Sequence, residues 1–103
     1  MRKFETMLLF SPELSSEVRE SILAALTGVI EREDGSVIVA DHWGMRDLAY
    51  PIRKQNRGYY VRLEYSGPGT IVAELERIIR ITEGIFRFVT IRLENKVMEE
   101  ANA

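Results

Sequence analysis

The sequence predicts a single α+β domain in which strands and helices follow one another in the order βαββαβ. Four short segments place apolar residues at every second position, which is the period of a β-strand. Two longer segments repeat apolar residues three and four positions apart, as amphipathic helices do. With 103 residues, of which 46% are hydrophobic, the chain has enough apolar side chains for one core and too few residues for two domains.

Residues 2–10 form the first predicted strand, which Ser11 and Pro12 end. One face is almost wholly apolar and the other is half apolar, so we expect this strand in the middle of the sheet. The core-facing set is Phe4, Thr6, Leu8 and Phe10, and the opposite set is Lys3, Glu5, Met7 and Leu9.

The first helix is predicted to begin at a cap formed by Ser15 or Ser16, with Glu17 in its first turn. It is expected to end at Asp34 and Gly35, because a glycine readily takes the left-handed conformation that closes a helix. The residues predicted to face the core are Val18, Ile22, Ala25, Leu26, Val29 and Ile30.

Strands two and three are predicted to form a hairpin with its turn at residues 55–58. Strand two runs from Val37 to residues 50–52, with an irregularity at Gly44. Since Pro51 has no N–H to donate to a ladder, we expect this residue at a sheet edge, at a bulge or in a turn. Strand three places Tyr59, Val61, Leu63 and Tyr65 on one face, and Tyr60, Arg62 and Glu64 on the other.

The second helix follows a break at residues 66–69 and is expected to stop at Gly84. Its predicted inward residues are Val72, Leu75, Ile78, Ile79 and Thr82. The last strand alternates Phe86, Phe88 and Thr90 with Arg87, Val89 and Ile91.

This order of elements predicts a ferredoxin-like split βαβ sandwich, with an antiparallel sheet in the spatial order 4-1-3-2. Both helices are expected on one face, which leaves the other face to water or to a partner. We expect the domain to span residues 1–94 and residues 95–103 to be a flexible tail. The predicted open face holds Lys3, Glu5, Met7, Arg62, Glu64, Arg87, Val89 and Ile91.

Composition argues against most kinds of chemistry. The chain has no Cys, so disulfides, thiol nucleophiles and thiolate metal sites are excluded. Its one histidine, His42, lacks a catalytic partner, and we therefore predict that the protein is not an enzyme and uses no cofactor or metal. No apolar run approaches the ~20 residues needed to cross a bilayer, so a soluble, cytoplasmic protein is expected.

Basic residues fall into two candidate sets, although the net charge is only -2. Neighbouring strands one and four are expected to bring a first set together, as donors to a phosphate backbone or as ordinary surface cations paired with Glu5 and Glu94. The second set surrounds Trp43 and Tyr50 and suits base stacking or protein docking, unless both rings pack at the end of the core. The first set is Arg2, Lys3, Arg87, Arg92 and Lys96, and the second is Arg46, Arg53, Lys54 and Arg57.

The segment WGMRDLAYPIRK at 43–54, the Gly58-Tyr59 pair and the opening MRKFE resemble the family of the sixth protein of the bacterial small ribosomal subunit. The resemblance covers residues 1 to about 94. It implies a structural protein that binds the central domain of small-subunit ribosomal RNA cooperatively with the eighteenth protein of that subunit, as a heterodimer. Met45 and Asp47 depart from a common family form, so contacts made by a cation at these positions are not expected here.

The resemblance also implies roles for individual residues. Arg2, Arg87 and Arg92 would contact RNA phosphates. Lys3 and the hairpin cations Arg46, Arg53 and Lys54 are further predicted RNA contacts that rest on the two basic sets above and not on the resemblance. The strand from Ile38 to Ile52 would lie near the protein partner through Trp43, Arg46, Leu48, Tyr50, Pro51 and Ile52.

Two other functions remain open from the residues alone. A ferredoxin-like regulatory module would form a dimer and hold a small ligand. A reader of single-stranded RNA would stack bases on aromatic residues of its central strands, but the predicted open face offers only Tyr60 there.

Overall fold

Four strands and two helices follow one another in the order βαββαβ, as predicted. The computed structural model describes residues 2–93, so Met1, Glu94 and the predicted tail at 95–103, which includes Lys96, lie outside the described residues. Neither helix among residues 2–93 is long and apolar enough to span a membrane. The elements are β1 (Arg2–Phe10), α1 (Ser16–Arg32), β2 (Ser36–Ile52), β3 (Gln55–Gly67), α2 (Thr70–Ile81) and β4 (Ile85–Arg92).

The strands form one antiparallel sheet in the order β2-β3-β1-β4, which is the predicted order read from the other edge. β1 lies in the centre, pairing with β3 on one side and with β4 on the other. Both helices contribute side chains to the single core on one face of the sheet, so the ferredoxin-like prediction is confirmed.

The core contains a small polar network. The hydroxyl of Thr6 is fully buried and lies 2.8 Å from the hydroxyl of Tyr65 and 2.8 Å from that of Thr90. Each buried hydroxyl therefore has a partner, which offsets the cost of removing it from water. Burial raises the pKa of Tyr65 above its usual value, since an ionised phenol would be poorly solvated there.

The helices are rotated slightly from the orientation that the sequence analysis predicted. In α1, Leu23 is buried, whereas Val18 is 46% exposed and Ala25 is also exposed. Two apolar stripes overlap on this helix, and burying the one that carries the larger leucine side chains removes more apolar surface from water. In α2, Ile71 was missed and is fully buried, whereas Val72 and Ile78 lie at the border of the core.

Two turns also differ from the predictions. The left-handed residue after α1 is Asp34, with φ 67°, and not Gly35. Gly35 is needed for a different reason, because a Cβ there would lie 2.4 Å from Cδ1 of Ile71 and 2.6 Å from the carbonyl oxygen of Ser66. The hairpin turn is formed by Arg53 and Lys54, with φ of 50° and 66°, and so lies two residues before the predicted one.

Two glycine substitutions test this packing with opposite expected signs. Gly35→Ala should lower the free energy of unfolding by about 1–3 kcal/mol, because its methyl group overlaps Ile71 and the Ser66 carbonyl. Gly28→Ala should raise the free energy of unfolding by about 1 kcal/mol, since Gly28 lies inside α1 with nothing within 4 Å of the added carbon. Urea denaturation measures both, and equal effects of the two substitutions would contradict this packing.

Candidate nucleic-acid and protein interface

β2 is an edge strand whose pairing is interrupted twice. The register shifts between His42 and Gly44, where Gly44 has φ 87°, and again between Asp47 and Ile52. Pro51 lies in the second interruption, so its missing N–H leaves no gap in the ladder. The predictions of an edge position, a bulge at Pro51 and an irregularity at Gly44 are confirmed.

The tip of the β2–β3 hairpin, residues 47–57, includes the second register shift and contacts β4. Arg87 donates a 3.1 Å hydrogen bond from Nη1 to the hydroxyl of Tyr50, and its guanidinium lies 5.6 Å from the centre of that ring. The guanidinium of Arg53 lies 5.4 Å from the Phe86 ring. Gln55 also donates to the carboxylate of Glu13, so the tip is held at three points.

A cleft of about 330 Å³ lies between the hairpin tip and the open face of the sheet. Its lining is mostly apolar, with Asp47 and Arg87 as its charged members. It therefore brings together three of the residues predicted to lie near a protein partner, namely Leu48, Tyr50 and Ile52. The other apolar lining residues include Met7, Leu9, Tyr60 and Val89.

Trp43 and Arg46 form a separate group on β2. The indole Nε1 donates to the Asp41 carboxylate at 3.1 Å, and Arg46 donates from Nε to the Trp43 carbonyl at 3.3 Å. Trp43 is 44% exposed and Tyr50 is 58% exposed, so neither ring is packed in the core. Both aromatic side chains are therefore accessible to a partner.

The first basic set does not converge as predicted. Arg92 is opposite Phe4 on β1, whereas Arg87 is opposite Leu9, so these two cations belong to opposite ends of β4. Arg2 and Arg92 lie on the helix side of the sheet at one end, with Lys3 on the open side. Arg87 instead joins Arg53 and Lys54 near the hairpin tip.

The register places the open-face residues in three rows across the sheet. The first row holds two glutamates directly opposite each other, and the second holds an arginine between a carboxylate and a methionine. From β2 to β4, the rows are Val39, Glu64, Glu5 and Ile91; then Asp41, Arg62, Met7 and Val89; then Gly44, Tyr60, Leu9 and Arg87.

Arg62 is bound by both glutamates of the first row. It donates from Nη2 to Glu64 at 2.6 Å and from Nε to Glu5. The Glu5 hydrogen bond is the main cause of a raised pKa for Arg62, which remains charged. Asp41 is the register partner of Arg62 on β2, and its carboxylate accepts a hydrogen bond from the indole of Trp43. Glu5 is thus engaged by Arg62, and the described structure assigns it no ion pair with Arg2 or Lys3.

His42 belongs to a contact between α1 and the hairpin. Its Nδ1 lies 3.0 Å from the hydroxyl of Tyr59, and its Nε2 lies 3.6 Å from the Glu20 carboxylate. The Arg19 guanidinium stacks 3.6 Å from the centre of the Tyr59 ring. Among residues 2–93, no three His, Asp or Glu side chains are placed to hold a metal ion.

Similar proteins are known both by sequence and by structure. A family model described as ribosomal protein S6 matches residues 3–92. The small ribosomal subunit protein bS6 of Nitratidesulfovibrio vulgaris is 69% identical over 101 residues, or 98% of this chain and 100% of that protein. The corresponding protein of Lawsonia intracellularis is 59% identical over 97% of this chain and 94% of its own. The crystal structure of 30S ribosomal protein S6 from Thermotoga maritima matches with a TM-score of 0.89 and 30% identity, covering 98% of this chain and 95% of that one.

Replacing Tyr50 tests whether the hairpin tip is held by β4. Tyr50→Ala removes both the hydrogen bond and the ring contact with Arg87, so the amides of residues 47–57 should exchange faster with solvent. Tyr50→Phe is the matched control, because it keeps the ring, and it should give an intermediate rate. Hydrogen exchange followed by mass spectrometry measures the difference. Unchanged exchange in Tyr50→Ala would show that the tip is held by other contacts.

Proposed function

Because the chain belongs to the ribosomal protein S6 family, we propose that it binds the central domain of small-subunit ribosomal RNA cooperatively with the eighteenth protein of that subunit. The family is structural and non-enzymatic, and its members are part of the small subunit of the cytoplasmic bacterial ribosome. This membership decides against the ligand-binding regulatory module. The non-enzymatic character of the family also agrees with the composition of the chain, which has one histidine and no cysteine.

The observation that carries the cooperative part of the proposal is the distribution of positive charge. The chain has a net charge of -2, and its candidate phosphate donors are divided between two ends of the sheet. Affinity for RNA rises with the number of phosphates that a protein neutralises, so two small groups of cations give weak binding alone. The first group is Arg2, Lys3 and Arg92; the second is Arg46, Arg53, Lys54 and Arg87.

A basic protein partner makes up for the small number of phosphate donors on this chain. A coupling free energy of ~1–3 kcal/mol between the two binding events is typical of cooperative systems and corresponds to an increase in affinity of about 5- to 150-fold. The exposed residues Trp43 and Tyr50 support a role for β2 in binding the protein, as the apolar lining of the adjacent cleft does.

A titration against RNA tests the cooperative binding. The purified full chain should show little affinity for a central-domain RNA fragment at moderate salt, because it offers few phosphate donors. Adding the eighteenth protein should restore tight binding, and filter binding or fluorescence anisotropy measures both. Tight, sequence-specific binding by the chain alone would contradict the proposal.

Charge reversals test which cations contact RNA. Lys54→Glu and Arg2→Glu should each weaken RNA binding by the protein pair about 5- to 10-fold and reduce its dependence on salt, as the loss of one phosphate contact does. Arg77→Glu is the matched control, since Arg77 is 60% exposed on α2 and its ion pair with Glu74 is a surface one.

The control should change RNA affinity by less than about twofold, and circular dichroism checks that all three variants fold. Arg19 is unsuitable as a control because its guanidinium stacks on Tyr59. Equal losses at Lys54, Arg2 and Arg77 would show that the effect comes from net charge and would contradict the assignment.

A further inference from the structure

We propose that the two-residue turn of the β2–β3 hairpin is a positioned RNA contact, in which a left-handed backbone that lowers folding stability holds two cations at the tip for the phosphate backbone. This role rests on the proposed function, because it specifies how one of the two groups of cations meets RNA. Three features carry it: the backbone of Arg53 and Lys54, the contacts that hold the turn, and the state of its charges.

The backbone of the turn is left-handed at two consecutive residues. Arg53 and Lys54 have φ of 50° and 66°, and the pairing of Ile52 with Gln55 makes them a two-residue hairpin loop. Loops with positive φ at both positions favour Asn-Gly, Asp-Gly or Gly-Gly, because the Cβ of most other residues comes too close to a carbonyl oxygen. An arginine followed by a lysine therefore lowers the stability of the fold relative to such a pair.

The surrounding structure holds the turn in this conformation. The guanidinium of Arg53 lies 5.4 Å from the centre of the Phe86 ring, and the side chain of Gln55 donates to the carboxylate of Glu13. A strained backbone persists where its neighbours determine it, and such positions are concentrated at functional sites. The turn is thus fixed both to β4 and to the segment that follows β1.

The positive charge of the turn is available to a ligand. Both of its cations are exposed, and no ion pair joins either of them to an acidic residue among residues 2–93. Two acidic side chains of the region are already engaged, because Asp47 lies 3.3 Å from Nε of Arg57 and Glu13 accepts the hydrogen bond from Gln55. Phosphate oxygens are strong acceptors for such cationic donors.

The composition of the turn favours RNA over the protein partner as its ligand. Lysine is depleted in protein interfaces, whereas contacts with a phosphate backbone rely on exposed Lys and Arg side chains. Arg87 adds a third cation beside the turn, since its guanidinium is bound to Tyr50 of the tip. Three cations at one fixed tip match a short stretch of RNA backbone.

Two substitutions of Lys54 separate the effect of the backbone from that of the charge. Lys54→Gly and Lys54→Gln both remove the cation, but only glycine takes the left-handed conformation without strain. Lys54→Gly should raise the melting temperature of the full chain by about 3–6 °C in circular dichroism, and Lys54→Gln should change it by less than about 1 °C. A melting temperature for Lys54→Gly at or below that of Lys54→Gln would show that the turn does not lower stability, and would overturn the proposal.

Moving the cation tests whether its position matters. The double variant Lys54→Gly with Asn56→Lys keeps the net charge and places the lysine at an exposed residue outside the left-handed pair. Fluorescence anisotropy measures the affinity of each full-length variant, together with the eighteenth protein, for a central-domain RNA fragment. We expect Lys54→Gly and Lys54→Gln to weaken RNA binding equally, by about 5- to 10-fold, and the double variant to recover less than about twofold of that loss.

Three contrary results have different consequences. If the double variant binds RNA as tightly as the wild type does, net charge at the tip is sufficient, and the positioned contact is wrong while the proposed function stands. If Lys54→Gly weakens binding to the eighteenth protein without RNA, in isothermal titration calorimetry, the turn contacts the protein and the proposal is also overturned. If the wild-type chain and the eighteenth protein together do not bind the RNA fragment, the proposed function and the positioned contact both fail.

Discussion

The pairing of β1 with strands on both of its sides is the constraint on which the rest of the structure depends. Because β1 is the central strand, every second residue along it is fixed either in the core or on the open face. The core side includes Thr6, whose hydroxyl is bonded to those of Tyr65 and Thr90 on the two neighbouring strands. A register slip by one residue would expose Phe4 and Leu8 and separate these hydroxyls, so the register is strongly specified.

The same register gives the two faces of the sheet different chemical characters. Two helices cover one face, while the other keeps Glu5 beside Glu64 with Arg62 between them. Positive charge is displaced from this centre to the ends of the sheet, near Arg2 and near Lys54. A chain whose cations are divided between two ends of the sheet can thus contribute to an RNA complex, as proposed above, if a basic protein shares the binding.

The alternation of apolar residues was enough to predict the strands and the core-facing sides of β1 and β3, the order of the elements predicted the strand order, and Pro51 predicted the edge position of β2. The local pattern did not decide which face of α1 is buried or which residues form the hairpin turn. The stripes through Val18 and Leu23 overlap on α1, and only packing against the sheet selects between them. The turn at Arg53 and Lys54 was misplaced because neither residue is typical of positions with positive φ, for which Gly and Asn are preferred.

The candidate site was harder to predict because its contacts join residues far apart in the chain. Tyr50 contacts Arg87 through a bend of the hairpin that no local pattern specifies. Glu5 and Glu64 were both expected on the open face, but their direct opposition follows from the register between β1 and β3. The separation of Arg87 from Arg92 follows from the register of β4, and the sequence analysis considered only that their strands are neighbours.

Backbone amide chemical shifts, followed by NMR while RNA is added to the labelled full chain with and without the eighteenth protein, test the cooperative binding most directly. The account predicts that RNA alone shifts few amides at moderate salt, and that RNA added together with the eighteenth protein shifts those around Arg2 and Lys54. Equally large shifts around Arg2 and Lys54 with RNA alone would contradict it.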